Sequence, residues 1–252
     1  MSPTGRRIHE TVFRRAGLTS PVRIGILETP TGYEVNAIHG WPERMEQFFV
    51  RRLGNYKPSV KRIRAWRRDG VNSTNDSTIT DAILAQDYLY CGAGSPGYTI
   101  RHLRGSRAWK NLTAAHEEGT VLCLGSATAV AVGAWALPVY EIFKAGADIH
   151  WLAGLDLFSR WGLSLAIIPH WNNTEGEDFD TTRCWMGKER FNVLRTMLPG
   201  STTILGIDEQ TACVCNLQDH CFEVLGKGHV FVMKGDTRMS YASGDRIGFE
   251  YL

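Results

Sequence analysis

Three stretches of this chain put a reactive side chain where a strand should end. In VLCLGSATAVAVG, residues 121–133, an apolar run stops at Ser126 and becomes an Ala-rich segment that favours helix. A strand that ends in a tight turn and runs straight into a helix lifts the turn side chain to the carboxyl edge of a sheet, beside the positive helix N-terminus. A serine held there can act as a nucleophile. The same serine also suits a helix N-cap, with small neighbours that let a helix pack closely on a sheet. In SLAIIPHWNN, His170 follows the apolar run Leu165–Ile168 after Pro169 and precedes Trp171, Asn172 and Asn173 in a polar loop. A general base fits that place, and so does a purely structural histidine. In STTILGIDEQ, the run ending at Ile207 is followed by Asp208 and Glu209. A serine hydroxyl needs an imidazole to take its proton, and the imidazolium needs a carboxylate to hold its tautomer, so these residue types suit acyl transfer.

Other clusters carry weaker signals. The loop Gly92-Ala93-Gly94-Ser95-Pro96-Gly97 opens a helix, and its backbone N–H groups suit a carboxylate, a phosphate or an oxyanion; a plain tight turn is the alternative. The full dinucleotide fingerprint, with its distant ribose-binding acid, is not met. After His170 come Glu175, Asp178, Asp180 and Arg183, which can meet a charged substrate or stay solvated, at spacings that do not match a calcium loop. Cys213, Cys215, His220 and Cys221 lack the C-x-x-C knuckle of a zinc site. No metal and no cofactor is expected. From Lys57 to Arg68 six basic residues surround Trp66, a composition that can hold single-stranded nucleic acid. A second strand with a solvated arginine face is the preferred reading, because the rest of the chain offers no second patch.

These residues need a scaffold. With 252 residues, 43% hydrophobic and 21% charged, the chain can bury a full core, and one α/β domain over residues 21–252 is expected behind a polar, basic extension at 1–20, in which HETVFRR can form one or two helical turns. A formal charge of +2 indicates no bulk attraction to nucleic acid or membrane. The N-terminal residues lack the apolar run of a signal peptide, and no segment reaches the roughly 18 apolar residues of a membrane span, which predicts a cytoplasmic protein. Six cysteines at this length predict reduced thiols. Val22–Leu27 is the first strand. WPERMEQFFVRRLGN has Met45, Phe48, Phe49 and Leu53 at helical spacing. Further apolar runs alternate with helical segments at the spacing of parallel crossovers, which brings strand ends to a common edge. From Thr211 onward, alternating runs broken by turns predict antiparallel hairpins.

Ser126 in LGSATA, His170 in IIPHWNN and Glu209 in GIDEQTA, together with the GAGSPGY loop, resemble the serine peptidase family of dipeptidase E and cyanophycinase (peptidase S51). That family lies in the class I glutamine amidotransferase-like superfamily. The resemblance runs from about Val22 to the C-terminal hairpins. It implies a flavodoxin-like, mostly parallel central sheet with helices on both faces. It also implies Ser126 as nucleophile, His170 as general base and Glu209 as the carboxylate that orients it, with Glu141 in PVYEIFK as a rival third member. Gly94 and the N–H of Ala127 would form the oxyanion hole. Gly92, Ser95, Asn172, Asn173, Asp180 and Arg183 would contact substrate, the arginine through a carboxylate. The implied activity is cleavage of a peptide or isopeptide bond beside an acidic residue in a small peptide or amino-acid-derived substrate. A non-catalytic relative binding such a ligand in the same pocket is the alternative, nucleic-acid binding through Lys57–Arg68 a further one, and a homodimer stays open. At the two glycine positions of a Gly-x-Ser-x-Gly elbow this chain has Leu124 and Thr128, whose side chains are expected to narrow the site or disable it, with Gly125 offsetting part of the effect.

Overall fold

The computed structural model describes residues 2–34, 36 and 40–252. They fall into two compact units, one of His9–Thr128, the other of Ser2–Ile8 with Ala129–Leu252.

The first unit is built on strands β1 (Arg23–Leu27), β2 (Ser59–Ile63), β3 (Tyr88–Cys91) and β4 (Val121–Leu124). They form an all-parallel sheet in the order β2-β1-β3-β4. The order reverses between β1 and β3, so the crevice past the carboxyl ends of those two strands is the topological switch point where open α/β sheets place ligands. Helix α1 (Pro3–Arg15) belongs to this unit from His9 on; α2 (Gly40–Arg52), α3 (Ser77–Thr80), α4 (Pro96–Leu103) and α5 (Arg107–Glu117) follow, and α6 (Ala127–Ala131) starts in it. Helix α2 buries Met45, Phe48 and Phe49 against Ile24, Ile26 and Tyr88, the stripe its helical spacing predicts. Beyond Met1, which lies outside the described residues, most of the N-terminal segment is the 13-residue helix α1. Phe13 of that helix is fully buried with Phe49 and Tyr88, and this apolar anchor outweighs the basic composition around it.

The second unit carries β5 (Trp135–Ala136), β6 (Leu152–Ala153), β7 (Leu165–Ile168), β8 (Thr203–Ile207), β9 (Thr211–Asn216), β10 (Cys221–Gly226), β11 (Val230–Lys234), β12 (Thr237–Tyr241) and β13 (Arg246–Gly248), with helices α7 (Val139–Phe143) and α8 (Gly187–Thr196). Its six-stranded sheet runs β12-β11-β8-β7-β5-β6, with β5, β7 and β8 parallel and the outer pairs antiparallel. A second sheet, β13-β10-β9, is antiparallel. The α/β class, the parallel central sheet and the C-terminal hairpins are therefore as the sequence predicts. Between residues 135 and 153 the two-residue strands β5 and β6 pair antiparallel, while β5 pairs parallel with β7. Pro138 contributes no N–H to a ladder, so β5 cannot run on through it. Among the described residues no helix is long and apolar enough to cross a membrane.

Candidate active site

In the first unit the loops that follow β1, β3 and β4 supply the candidate groups. Strand β4 pairs with β3 so that Leu124 lies beside Cys91, and Gly125 N–H continues the ladder to the Cys91 carbonyl at 2.8 Å. Ser126 comes next, with φ of 49°, a left-handed conformation that non-glycine residues seldom adopt. Helix α6 begins at the following residue. A serine in a positive-φ turn between a strand and a helix has the local form of a nucleophile elbow. The side chain of Thr128 is compatible with that turn. Thr128 is buried, and its hydroxyl donates to the Gly92 carbonyl at 2.9 Å while its N–H donates to the Gly125 carbonyl at 3.0 Å. Where a glycine would only leave room, Thr128 ties the elbow to the glycine loop. Leu124 is the last residue of β4, paired with Cys91, and half-buried.

The glycine loop is held by the turn after β1. Gly94 has φ of 143°, and a Cβ on it would stand 1.8 Å from the Pro30 carbonyl oxygen, so only glycine fits. Ser95 N–H donates to that same carbonyl at 3.1 Å. The Ser95 hydroxyl accepts from Tyr98 N–H at 3.2 Å and caps α4, so this serine, expected to contact substrate, is engaged within its own helix. Gly92 lies against the Tyr90 ring and offers its carbonyl to Thr128.

A residue not singled out as functional from sequence organises the β1 turn. Glu28 is buried, receives Arg62 Nε at 2.6 Å and Trp66 Nε1 at 2.8 Å, and so has both carboxylate oxygens satisfied. A buried carboxylate is tolerated only when so partnered. Thr31 Oγ1 then donates to the Glu28 carbonyl at 3.1 Å, closing the turn that receives Ser95.

In the second unit the parallel register Ile168↔Gly206 sets the ends of β7 and β8 side by side. His170 leaves β7 at φ of 52°, and its Nδ1 lies 3.1 Å from Oε1 of Glu209, two residues past β8. A carboxylate at Nδ1 holds the proton there and leaves Nε2 as the basic nitrogen. Asn173 Nδ2 donates to the same Glu209 oxygen at 3.0 Å, and Asn172 Oδ1 accepts from Glu209 N–H at 2.8 Å. Both asparagines, expected at substrate, thus hold Glu209. The carboxylate at Nδ1 is that of Glu209; its rival Glu141 sits in α7 with one buried carboxylate oxygen that has no hydrogen-bond partner among the described residues.

Arg183, Cys184 and Trp185 form a run of positive-φ residues that wraps the histidine. Cys184 N–H donates to the His170 carbonyl at 3.2 Å, Arg183 N–H to the Trp171 carbonyl at 3.0 Å, and the Trp185 ring lies 5.0 Å from that of His170. The Arg183 guanidinium stacks 4.0 Å over the Trp171 ring and donates to the Trp171 carbonyl at 3.1 Å. Burial pushes its pKa down, the neighbouring charge of Arg238 adds to the fall, and Asp180 and Asp208 oppose it. The Asp180 carboxylate is taken up by Thr182 and by Lys188 N–H, which holds it below the usual carboxylate range. Trp171 is packed flat on Gly206, where a Cβ would meet the indole at 2.4 Å. Positive-φ serine, histidine, arginine and tryptophan leave no mark in a propensity pattern, so this strain was not readable from sequence. Among the described residues no three His, Cys, Asp or Glu side chains are arranged to hold a metal ion.

The sequence matches no protein-family model and no curated protein. Solved structures share its fold. A peptidase from an acI-B1 Actinobacterium aligns with a TM-score of 0.76 at 18% identity, over 98% of this chain and 92% of that one. A "Putative Peptidase E Protein" from Listeria monocytogenes EGD-e aligns with a TM-score of 0.54 at 12% identity, over 92% of each chain. At these identities the likeness is one of fold.

Proposed function

We propose that this chain is a serine hydrolase that cleaves a peptide or isopeptide bond beside an acidic residue, as a member of the dipeptidase E and cyanophycinase family. The observation that carries the reading is the left-handed Ser126 at the junction of β4 and α6. The His170–Glu209 pair braced by Asn172 and Asn173, and the fold shared with solved peptidases, support it. In this mechanism Ser126 Oγ bonds to the scissile carbonyl carbon as His170 Nε2 takes its proton. The carbon–nitrogen bond then breaks, with that proton passing to the leaving amine. Water hydrolyses the acyl-enzyme by the same route in reverse order. Glu209 stabilises the imidazolium, and the N–H groups of Ala127 and Gly94 receive the oxyanion. Arg183 keeps donors beyond its bond to Trp171, and a planar fork suits an acidic side chain.

An active-site serine probe tests the reading. It should label the wild-type protein and fail on Ser126→Ala and His170→Ala, and α- and β-aspartyl dipeptides should be cleaved by wild type alone. Labelling that survives Ser126→Ala removes the nucleophile.

A further inference from the structure

A row of rings runs outward from the turn that holds the glycine loop. Tyr33, three residues beyond Pro30, lies 5.5 Å from the Tyr98 ring, and Tyr98 lies 4.1 Å from that of His102. Gly32 is packed against the Trp66 backbone, where a Cβ would come within 2.5 Å of the Trp66 carbonyl, and this brings Arg67 alongside the row. Arg68 is bound to the same place: its N–H donates to His102 Nδ1 at 3.0 Å and its guanidinium to the Arg104 carbonyl at 2.8 Å. Arg101 follows on α4, one turn from Tyr98. Arg67, Arg68, Arg101 and Arg104 are exposed, and the charge of Asp69, like those of Arg67, Arg68 and Arg101, reaches His102. Among the described residues no ion pair engages the guanidinium of Arg67 or Arg101. Both charges reach the Tyr98 phenol, where they oppose the rise that burial causes.

We propose that this surface, Tyr33–Tyr98–His102 flanked by Arg67 and Arg101, binds an acidic polypeptide segment. The two unpaired guanidiniums present planar donor forks that match carboxylates. Single-stranded nucleic acid needs a series of open ring faces to stack its bases. Here the rings are packed against one another at 54° and 48°, and Tyr33, 41% exposed, is the outermost of them. The surface starts at the turn whose Pro30 carbonyl holds Ser95 and the glycine loop, so an acidic chain lying on it would lead toward that loop. That the chain so bound is an extended part of the substrate rests on the peptidase reading; the binding itself does not.

The test uses full-length Ser126→Ala protein, which needs no turnover, and fluorescein-labelled deca-glutamate followed by anisotropy at low salt. Binding is expected to weaken with added salt and to fall about tenfold or more in Arg67→Glu/Arg101→Glu, two exposed positions. Arg51→Glu/Arg52→Glu on α2, an equal change in net charge, should bind as the parent does. Equal loss in both variants, or no binding at low salt, overturns the proposal. Tighter binding of oligothymidylate of equal charge would overturn it too, assigning the surface to nucleic acid. Failure of serine-probe labelling with peptide binding intact would remove the peptidase reading and leave this one standing.

Discussion

Glu209 Oε1 is shared between two donors, His170 Nδ1 at 3.1 Å and Asn173 Nδ2 at 3.0 Å. The carboxylate is therefore fixed in position before it meets the ring, and it selects the tautomer in which Nε2 is free to accept a proton. Glu209→Gln keeps the shape and removes the charge, so kcat for an aspartyl dipeptide should fall by about 10²–10⁴ with little change in KM. Asn173→Ala should lower kcat in the same direction by less. Steady-state kinetics decide the matter, and an unchanged kcat in Glu209→Gln would give the orienting role to another group.

Thr128 is expected to be a tether. Thr128→Val preserves the buried shape and leaves the Gly92 carbonyl without its donor, which should cost about 1–3 kcal/mol in urea unfolding. Thr128→Ser retains the hydroxyl and should lose less. A valine variant as stable as wild type would show that the elbow does not depend on this bond.

Two glycines separate steric from conformational demand. Gly94→Ala forces a Cβ onto the Pro30 carbonyl and should displace the loop, lowering both the melting temperature and kcat, the latter by about 10²-fold or more if an oxyanion donor is lost. Gly105→Ala, at φ of 67° with open space around it, should cost only the left-handed penalty of about 1–2 kcal/mol and leave activity intact. Equal kinetics for the two variants would exclude the loop from catalysis.

His9 makes the N-terminal helix sensitive to acid. Its Nδ1 lies 2.8 Å from the Tyr88 hydroxyl, and the rings of Phe48, Phe49 and Tyr90 complete its surroundings. Burial lowers its pKa from 6.5 to about 4. The folded state thus keeps His9 neutral while the unfolded chain protonates first, so stability held above pH 6.5 is lost as pH falls from there toward 4. Urea unfolding at pH 7 and at pH 5 should show a larger loss for wild type than for His9→Gln. Parallel pH profiles would place the acid sensitivity elsewhere.

Much of the scaffold was legible because its strands are short apolar runs closed by polar turns. Leu165–Ile168, the stripe of α2 and the C-terminal hairpins all follow from local pattern. So does the placement of Ser126, His170 and Glu209 at strand ends. The burial of the N-terminal helix was not legible, because its apolar anchor, Phe13, depends for its value on Phe49 and Tyr88 far along the chain.

The sequence by itself determined which residues stand at the carboxyl ends of β4, β7 and β8, since periodicity and turn residues are properties of a few neighbours. Only the tertiary structure decided what those residues touch. The β7–β8 register brings together His170 and Glu209, 39 positions apart, and turns Asn172 and Asn173 toward the glutamate. The positive φ of Ser126 and His170 and the bond from Thr128 to Gly92 likewise come from packing between segments. A strained conformation persists only where such surrounding contacts hold it, and no local pattern of residue types encodes them.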